Sequence, residues 1–515
     1  MMSRTNKVIK NSTLNFSFNV MTICLTFFSR KIFIDYLGND LIGLNSTLQN
    51  ILGFLNLAES GIAISISYAL YQPLFNSDKQ QIKEIVSILK SLYGKVGYII
   101  LGGAVVLSFF LPVIFGNTGV NLIFIYSAFF VFLLSSLIGY FLNYRQILMR
   151  ANQQEYVIIT TFKLCTIIKI ICQIIALTQF ESGYFIWLFI ELSFNLIYSY
   201  ILNIRINTYF PWLKVEKSDI RLLRQKYSFI VKKIKQVFFH QAAGFILLQT
   251  TALFVFIFTD LSTVTKYTNY TLITVQITTL LSALMNSTFA SVGNLVAEGK
   301  NNHALKVFGE LITLRFYIAF LTIFCLYNLI EPFISIWLGN EFILDRTILI
   351  LILISTFITL VRGCVDSFIS AHGLFHDVWA TCTEAAINII VCIIAGYYWG
   401  LKGVALGPVV CTGIFVVFWK PYFLFRNGFK LSVFVYWKIV LRICIVNGFI
   451  FIICCYFIQK WSFEIKSFFH FFKFSVLLFA SYATISFIAS SIAIKGMRDF
   501  FMRVMNMFEK RITHE

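Results

Sequence analysis

The chain has 515 residues, of which 58% are hydrophobic and only 13% are charged, and its mean hydropathy is +0.81. Soluble domains carry about 25% charged residues, so this composition excludes a water-soluble globular protein and indicates an integral membrane protein. The formal net charge of +19 must therefore be interpreted from where the basic residues lie relative to the membrane.

The membrane spans are predicted to be helices. Phe is abundant, with 58 residues, and Pro is scarce, with 6, as expected of long lipid-exposed helices rather than of a β-barrel. The first apolar stretch, about residues 15–34, has roughly the 20 residues that cross a bilayer and lacks a small-residue cleavage site. We therefore expect a retained first helix instead of a signal peptide.

Apolar runs of membrane length recur along the whole chain and predict about fourteen spans. They lie at about 12–35, 41–72, 92–114, 120–144, 156–178, 184–205, 236–259, 262–296, 307–330, 347–370, 378–398, 403–424, 436–458 and 470–494. An even number of spans places both termini on one side. Most of the 42 Lys and Arg residues then fall on that side, so the positive-inside rule predicts cytoplasmic termini in a multi-pass membrane protein. The basic excess is thereby explained without a nucleic-acid partner.

The organisation predicted from these runs is two six-helix bundles, a basic linker and two extra helices. The predicted boundaries are 1–205 for the N-terminal bundle, 206–235 for the cytoplasmic linker, 236–426 for the C-terminal bundle and 427–515 for the two extra helices and the tail. Because six spans separate corresponding segments, the bundles should have parallel topology, related by a pseudo-two-fold axis along the membrane normal. This architecture implies two bundles that face one cavity.

The two halves share a long second span that becomes polar near its inner third. In the first half this position is Glu59-Ser60-Gly61, and in the second half it is Asn286-Ser287-Thr288. An intramembrane carboxylate is costly to bury and is by default a functional hypothesis. Glu59 is therefore predicted to bind a coupling cation, to form an ion pair with a basic residue, or to act only as a structural latch. Ser60 and Gly61 indicate a local break in the helix or close packing. Asn286 is predicted to face the same cavity.

Loop lengths and motifs favour a transporter over an enzyme. The predicted outer loops are short, and the sequence has no Asp-x-Asp pair, no His and Cys cluster with metal-ligand spacing and no Gly-rich phosphate loop. All eleven cysteines fall in predicted spans, where free Cys usually packs as a small apolar residue. We therefore expect no cofactor and no metal site, and a filter-like repeat that would indicate a channel is also missing.

Three segments give the chain a recognisable pattern. They are "FFSRKIFIDYLGNDLIGLNSTLQNILGFLNLAESGIAISISYALYQPLFNSDKQQIKEI", "NYRQILMRANQQEYV" after the fourth span and "YWGLKGVALGPVV" entering the twelfth. Together they resemble bacterial polysaccharide exporters of the O-antigen flippase (Wzx-like) type. These exporters belong to the multidrug/oligosaccharidyl-lipid/polysaccharide (MOP) flippase superfamily. The resemblance covers essentially the whole chain and is strongest in the first 160 residues.

The resemblance implies a flippase that moves undecaprenyl-pyrophosphate-linked oligosaccharide units to the outer leaflet by alternating access. Its implied partners are the lipid-linked oligosaccharide, membrane lipids and, as a possibility, a polysaccharide polymerase and a chain-length regulator. Coupling to Na⁺, to H⁺ or to the membrane potential stays open. A cation-coupled multidrug antiporter of the same superfamily is the alternative, and a membrane transferase would need an external loop that the sequence lacks.

Basic residues inside predicted spans suit an anionic pyrophosphate ligand. Arg30 matches an arginine common in the family's first span and is a predicted substrate contact, because a guanidinium binds oxyanions bidentately. Arg30 and Lys31 have an alternative role as interfacial cations, with Lys31 and Asp35 forming an i,i+4 ion pair. His240 opens the seventh span, where satisfied polar packing and a proton relay are both open.

Other charges are placed to pair inside the membrane. Lys169 in the fifth span and Glu191 in the sixth lie at similar depth, which predicts either an ion pair between consecutive helices or a cavity contact. Arg362 and Asp366 are one helical turn apart in the tenth span, and Glu384 in the eleventh lies at similar depth. These three are predicted to form a structural triad, or an inner gate or ligand site.

Overall fold

The computed structural model describes residues 4–59, 61–213, 220–285, 292–293, 295–296, 301–374, 377–460 and 467–512. Within these residues the chain is helical and contains no β-strand, which confirms the prediction of an all-α polytopic protein. Ten described helices are long and apolar enough to cross a membrane. A shorter apolar helix, Ile62–Phe75, and the apolar segment Gln249–Phe258 at the end of a longer helix add to them. The fourteen predicted spans all fall on helices where they are described.

Two compact units, Met1–Thr265 and Lys266–Glu515, divide the chain. The first contains ten helices in the described residues. They are α1 (Arg4–Leu37), α2 (Asn39–Leu55), α3 (Ile62–Phe75), α4 (Lys79–Phe115), α5 (Leu122–Phe141), α6 (Gln146–Ala151), α7 (Glu155–Gln179), α8 (Gly183–Tyr209), α9 (Ile220–Lys226) and α10 (Ser228–Phe258). Helix α7 packs against α1 and α8, α5 packs against α4 and α8, and α10 packs against α2 and α3.

The second unit holds eight helices in the described residues, the first of which begins at the end of the first unit. They are α11 (Leu261–Met285), α12 (Asn301–Trp337), α13 (Arg346–Ala371), α14 (Val378–Trp399), α15 (Leu401–Phe429), α16 (Phe434–Lys460), α17 (Phe468–Ala493) and α18 (Lys495–Ile512). Helix α12 is central, since it contacts α13, α16, α17 and α18, and α14 packs closely along α15. The bundle, linker and tail boundaries given above remain predictions.

The predicted span 41–72 is interrupted. Helix α2 ends at Leu55, a 3₁₀ turn covers Asn56–Glu59, and α3 restarts at Ile62. Gly61 adopts a left-handed backbone with φ of 88°, a conformation that favours glycine. A Cβ at this position would lie 2.9 Å from the backbone nitrogen of Phe238 on α10, so the glycine also permits close helix packing. The expected local break and close packing are both present.

The start of α13 is fixed by an exposed carboxylate. Asp345 caps the helix by accepting a hydrogen bond from the Thr347 backbone nitrogen at 2.7 Å, and its other oxygen lies 2.8 Å from Nζ of Lys402. The hydrogen bond from Lys402 and those from Thr347 lower the pKa of Asp345 to about 2. The cap therefore stays ionised at every physiological pH, and its stabilisation would be lost only as the pH falls toward that value.

Candidate functional site

A polar cavity lies between helices of the first unit. Its volume is about 210 Å³, and it is bounded mainly by α1 and α2. The α1 lining comes at i, i+3, i+4 and i+7, and the α2 lining follows the same spacing, so each helix presents one continuous face. The lining residues are Thr26, Ser29, Arg30, Phe33, Ile42, Asn45, Ser46, Gln49, Ile170 and Trp187.

Aromatic rings and one hydrogen bond hold the wall of this cavity. Tyr184 on α8 donates its hydroxyl hydrogen to Oδ1 of Asn45 at 2.8 Å, which fixes the orientation of the Asn45 amide. The Trp187 ring meets Phe33 edge-on at 5.4 Å between centroids and stacks on Tyr184 at 6.3 Å. The cavity is thus a preformed pocket with a rigid aromatic side, which lowers the entropy cost of binding.

Arg30 is the one charged residue among the described residues that line the cavity, and it is half-buried. The remaining polar lining consists of hydroxyl and amide side chains, which can donate to and accept from sugar hydroxyls. The volume is below the roughly 300–1,000 Å³ of typical small-molecule sites, so it suits one phosphate or sugar group of a larger ligand. The structure therefore places Arg30 at a polar cavity of the first unit, and its contact with a substrate stays a prediction.

Lys31 lies outside this lining. Its Nζ is 2.8 Å from Oδ1 of Asp35 one turn along α1, and both side chains are exposed. The i,i+4 pair expected from the sequence is therefore present, whereas a direct role for Lys31 in substrate binding stays a prediction.

Lys169 and Glu191 form an ion pair between α7 and α8. Nζ of Lys169 lies 2.8 Å from Oε1 of Glu191, and Gln173 donates to Oε2 at 3.0 Å. Asn195 donates to Oε1 at 3.3 Å, so both carboxylate oxygens have donors. Gln173 also reaches the Trp187 carbonyl oxygen at 3.4 Å, which connects this pair to the cavity wall.

Glu59 has a neutral partner. Tyr93 on α4 donates a short hydrogen bond to Oε1 of Glu59 at the helix break. The neighbouring Asn56 accepts hydrogen bonds from Ser136 and Tyr140 of α5, both at 3.0 Å. Within the described residues no basic side chain forms an ion pair with Glu59, so the carboxylate is stabilised there by a phenol rather than by a cation.

The second unit contains a compact cluster of half-buried charges. Nε of Arg362 lies 2.9 Å from Oδ2 of Asp366 on α13, and Nζ of Lys420 on α15 lies 2.6 Å from Oδ1. Glu384 on α14 is almost completely buried and is within electrostatic range of Arg362 and Lys420. Its Oε1 accepts no hydrogen bond from the part of the chain that the structure describes. Asp366 thus forms ion pairs with two cations. Glu384, the expected third member of the triad, interacts with these cations at longer range.

Two basic residues of this region are not singled out by the sequence analysis as partners. Lys420 lies between two π-helical stretches of α15, Gly413–Trp419 and Phe425–Phe429, and its Nζ contacts Asp366. Arg315 on α12 is buried and lies against Gly363, where any Cβ would collide with its guanidinium. The sequence signal for Lys420 is its position as a further charge inside the predicted span 403–424. The contact of Arg315 with Gly363 joins two helices and cannot be predicted without knowing how they pack.

Some predicted residues lie outside what the structure describes. Asn286 is outside the described residues, as are Ser287 and Thr288. His240 is in α10, but its side chain lies outside the described part. Among the described residues no group of three or more His, Cys, Asp or Glu is arranged to hold a metal ion.

The fold is that of known membrane transporters. The lipid II flippase MurJ, in an inward closed conformation, matches with a TM-score of 0.69 and 16% identity, over 94% of this chain and 98% of that chain. An inward-facing multidrug resistance MATE family transporter of the MOP superfamily matches with a TM-score of 0.57 and 15% identity, over 79% of this chain and 97% of that chain. A Vibrio cholerae MATE transporter matches with a TM-score of 0.52 and 12% identity, over 79% of this chain and 95% of that chain.

No protein-family model and no curated protein matches the sequence. At these identities the structural matches establish the fold, which is the one expected from the resemblance to the MOP superfamily. These matching structures are all transporters or flippases, and the apolar helices make the chain a multi-pass membrane protein.

Proposed function

We propose that this protein is a flippase that carries undecaprenyl-pyrophosphate-linked oligosaccharide units from the cytoplasmic to the outer leaflet of the bacterial cytoplasmic membrane. The observation that carries this proposal is the cavity that contains Arg30 in a fold similar to that of a lipid II flippase. The transported units would supply surface polysaccharide, such as O-antigen, capsule or exopolysaccharide.

The chemistry of the cavity supports a headgroup ligand. A single guanidinium can bind one phosphate bidentately, and the surrounding hydroxyl and amide groups suit an adjacent sugar. Trp187 adds an apolar face of the kind that sugar rings pack against. The rest of a long lipid-linked oligosaccharide would extend beyond this small cavity.

A second feature supports a lipid-linked substrate. One exposed face of α17 is apolar along most of its length, and a polyprenyl tail could lie against it while the headgroup crosses. This face has one charged residue, Lys473, near the predicted outer end of the helix. Its residues are Phe469, Phe472, Lys473, Val476, Leu477, Ala480, Ser481, Thr484 and Ile485.

The energy source is part of the same proposal. An inside-negative potential drives an anionic headgroup outward with about 2.3 kcal/mol per charge per 100 mV. Exchange for Na⁺ or H⁺ at Glu59 is the second source. No organic cofactor is required for either, and a polymerase and a chain-length regulator would act on the product.

The test is deletion of the gene followed by extraction and mass spectrometry of lipid-linked oligosaccharides. The expected result is accumulation of undecaprenyl-pyrophosphate-linked units with loss of surface polysaccharide, both restored by the wild-type gene. Normal pools of these lipids together with normal surface polysaccharide would overturn the proposal.

A cation-coupled multidrug antiporter is the second candidate, because the fold also matches multidrug resistance MATE transporters. It predicts that the deletion strain becomes sensitive to cationic drugs while its lipid-linked pools stay normal. The charged cavity residue, a cation rather than a carboxylate, argues for an anionic ligand and against this function.

A further inference from the structure

The C-terminal helix α18 starts one residue after a membrane-spanning helix. Helix α17 ends at Ala493, and α18 begins at Lys495. Because α17 is long and apolar enough to cross the bilayer, the first turn of α18 must lie at the membrane surface. By the charge distribution this is the predicted cytoplasmic surface.

Helix α18 is attached to α12 at two points. A Cβ on Gly496 would lie 2.5 Å from the Gly309 carbonyl oxygen, so only glycine permits this backbone approach. Two turns later, Nη2 of Arg503 lies 2.8 Å from Oε2 and 3.0 Å from Oε1 of the buried Glu310. The orientation of α18 relative to α12 is therefore fixed within the second unit.

The attachment leaves one face of α18 exposed. Arg498, Phe501, Met502 and Met505 lie at i, i+3, i+4 and i+7, which places them on one side of the helix. Phe501, Met502 and Met505 are 43%, 50% and 45% exposed, whereas Met497 on the attached side is 1% exposed. Lys495 is exposed at the start of the same side. We call these five residues, Lys495, Arg498, Phe501, Met502 and Met505, the α18 stripe.

Apolar side chains flanked by basic ones at a membrane surface are the pattern of interfacial helices. The apolar residues of such a helix enter the boundary between headgroups and acyl chains, and Lys or Arg contacts anionic headgroups. A helix that faced water would not expose three large apolar side chains on one side, and a helix that spanned the bilayer would not carry two cations beside them.

We propose that the α18 stripe binds the anionic phospholipid surface of the cytoplasmic leaflet. Phe501, Met502 and Met505 insert below the headgroups, and Lys495 and Arg498 contact phosphates. Through Arg503 and Gly496 this contact holds the inner end of α12 at the membrane surface. The proposal is independent of which substrate the protein moves.

Photo-crosslinking in the full-length protein tests the proposal. p-Benzoylphenylalanine is placed at Met505, at Met502 or, as the control, at the exposed Asn302, which lies on α12 two turns before the Gly309 contact and therefore further from the bilayer. The protein is reconstituted in bilayers of phosphatidylglycerol and phosphatidylcholine, irradiated and analysed by intact mass. We expect lipid adducts at Met505 and Met502 and several-fold fewer at Asn302, with phosphatidylglycerol enriched over its mole fraction.

Charge removal provides the second arm. Each basic residue near an anionic surface contributes about a fivefold preference for anionic over neutral lipid. The double variant Lys495→Gln with Arg498→Gln should therefore return the share of phosphatidylglycerol among the adducts to its mole fraction in the bilayer. Adducts to another protein or to a second copy would overturn the proposal, as would lipid adducts without anionic enrichment in the wild-type background. Because three positions are probed, poor expression of one crosslinking variant leaves the outcome decidable.

Discussion

Replacing Arg30 by Gln should selectively weaken binding of the lipid-linked substrate. Gln keeps a polar, though shorter, side chain and removes the positive charge, which is the one charge in the described cavity lining. A hydrogen bond to a charged group contributes about 1.5–3 kcal/mol, which corresponds to about a 10- to 150-fold loss of affinity. Arg30→Lys should lie between, because it keeps the charge and loses the planar two-pronged donor.

Lys31→Gln is the matched control on the same helix. It also removes one positive charge, but it breaks an exposed i,i+4 pair that contributes about 0.3–0.5 kcal/mol. We therefore expect transport within about twofold of the wild type. If substrate binding depended only on the total charge of α1, the two variants would behave alike.

The assay uses proteoliposomes and a fluorescent polyprenyl-pyrophosphate oligosaccharide. The initial rate at which the label becomes accessible to a membrane-impermeant quencher measures flipping, and titration of the substrate separates affinity from turnover. Equal substrate affinity in Arg30→Gln and Lys31→Gln would refute the assignment of Arg30 to the headgroup. A lower protein level in Arg30→Gln alone would show a structural role, which parallel measurement of thermal unfolding detects.

Three further changes test other contacts within the two units. Gly61→Ala should destabilise the fold by about 1–2 kcal/mol or more, because Ala disfavours positive φ and its Cβ would collide with α10. Gly94→Ala is the control, since a Cβ there meets open space, and equal thermal midpoints for the two variants would contradict the prediction. Asp366→Asn removes the carboxylate that directly contacts Arg362 and Lys420 and should cost about 3 kcal/mol. The exposed Asp35→Asn should cost less than about 1 kcal/mol, and both are measured by denaturation in detergent. Glu59→Gln should alter the ion dependence of transport while preserving the fold.

The sequence predicts charge pairs well where helix geometry alone sets the distance. Lys31 with Asp35 and Arg362 with Asp366 are one turn apart on single helices, and both pairs are present. The ion pair of Lys169 with Glu191 joins two helices and is also predictable. Consecutive antiparallel spans are neighbours, so residues at equal membrane depth lie close together.

Contacts that depend on local winding or on neutral donors could not be predicted in the same way. Lys420 follows a π-helical stretch of α15, in which side chains do not keep the spacing of a regular α-helix. No residue pattern in the sequence predicts this stretch. The partner of Glu59 is the hydroxyl of Tyr93, and a neutral phenol leaves no charge signal in the sequence. The cavity around Arg30 also depends on how α1, α2, α7 and α8 pack, although the spacing of its lining residues on α1 and α2 is visible in the sequence.

We propose Glu59 rather than Glu191 as the site of a coupling ion, because the described partner of Glu59 is neutral. Glu191 is compensated by an ammonium group, so protonation or cation binding there would break an ion pair. At Glu59 a cation would replace no ion pair among the described residues and would meet a polar turn at a helix break. Glu59→Gln should therefore abolish the dependence of the flipping rate on Na⁺ or pH, whereas Tyr93→Phe should shift that dependence and keep it. Normal rates for Glu59→Gln under every ion condition would leave Glu59 only the role of holding the break between α2 and α3.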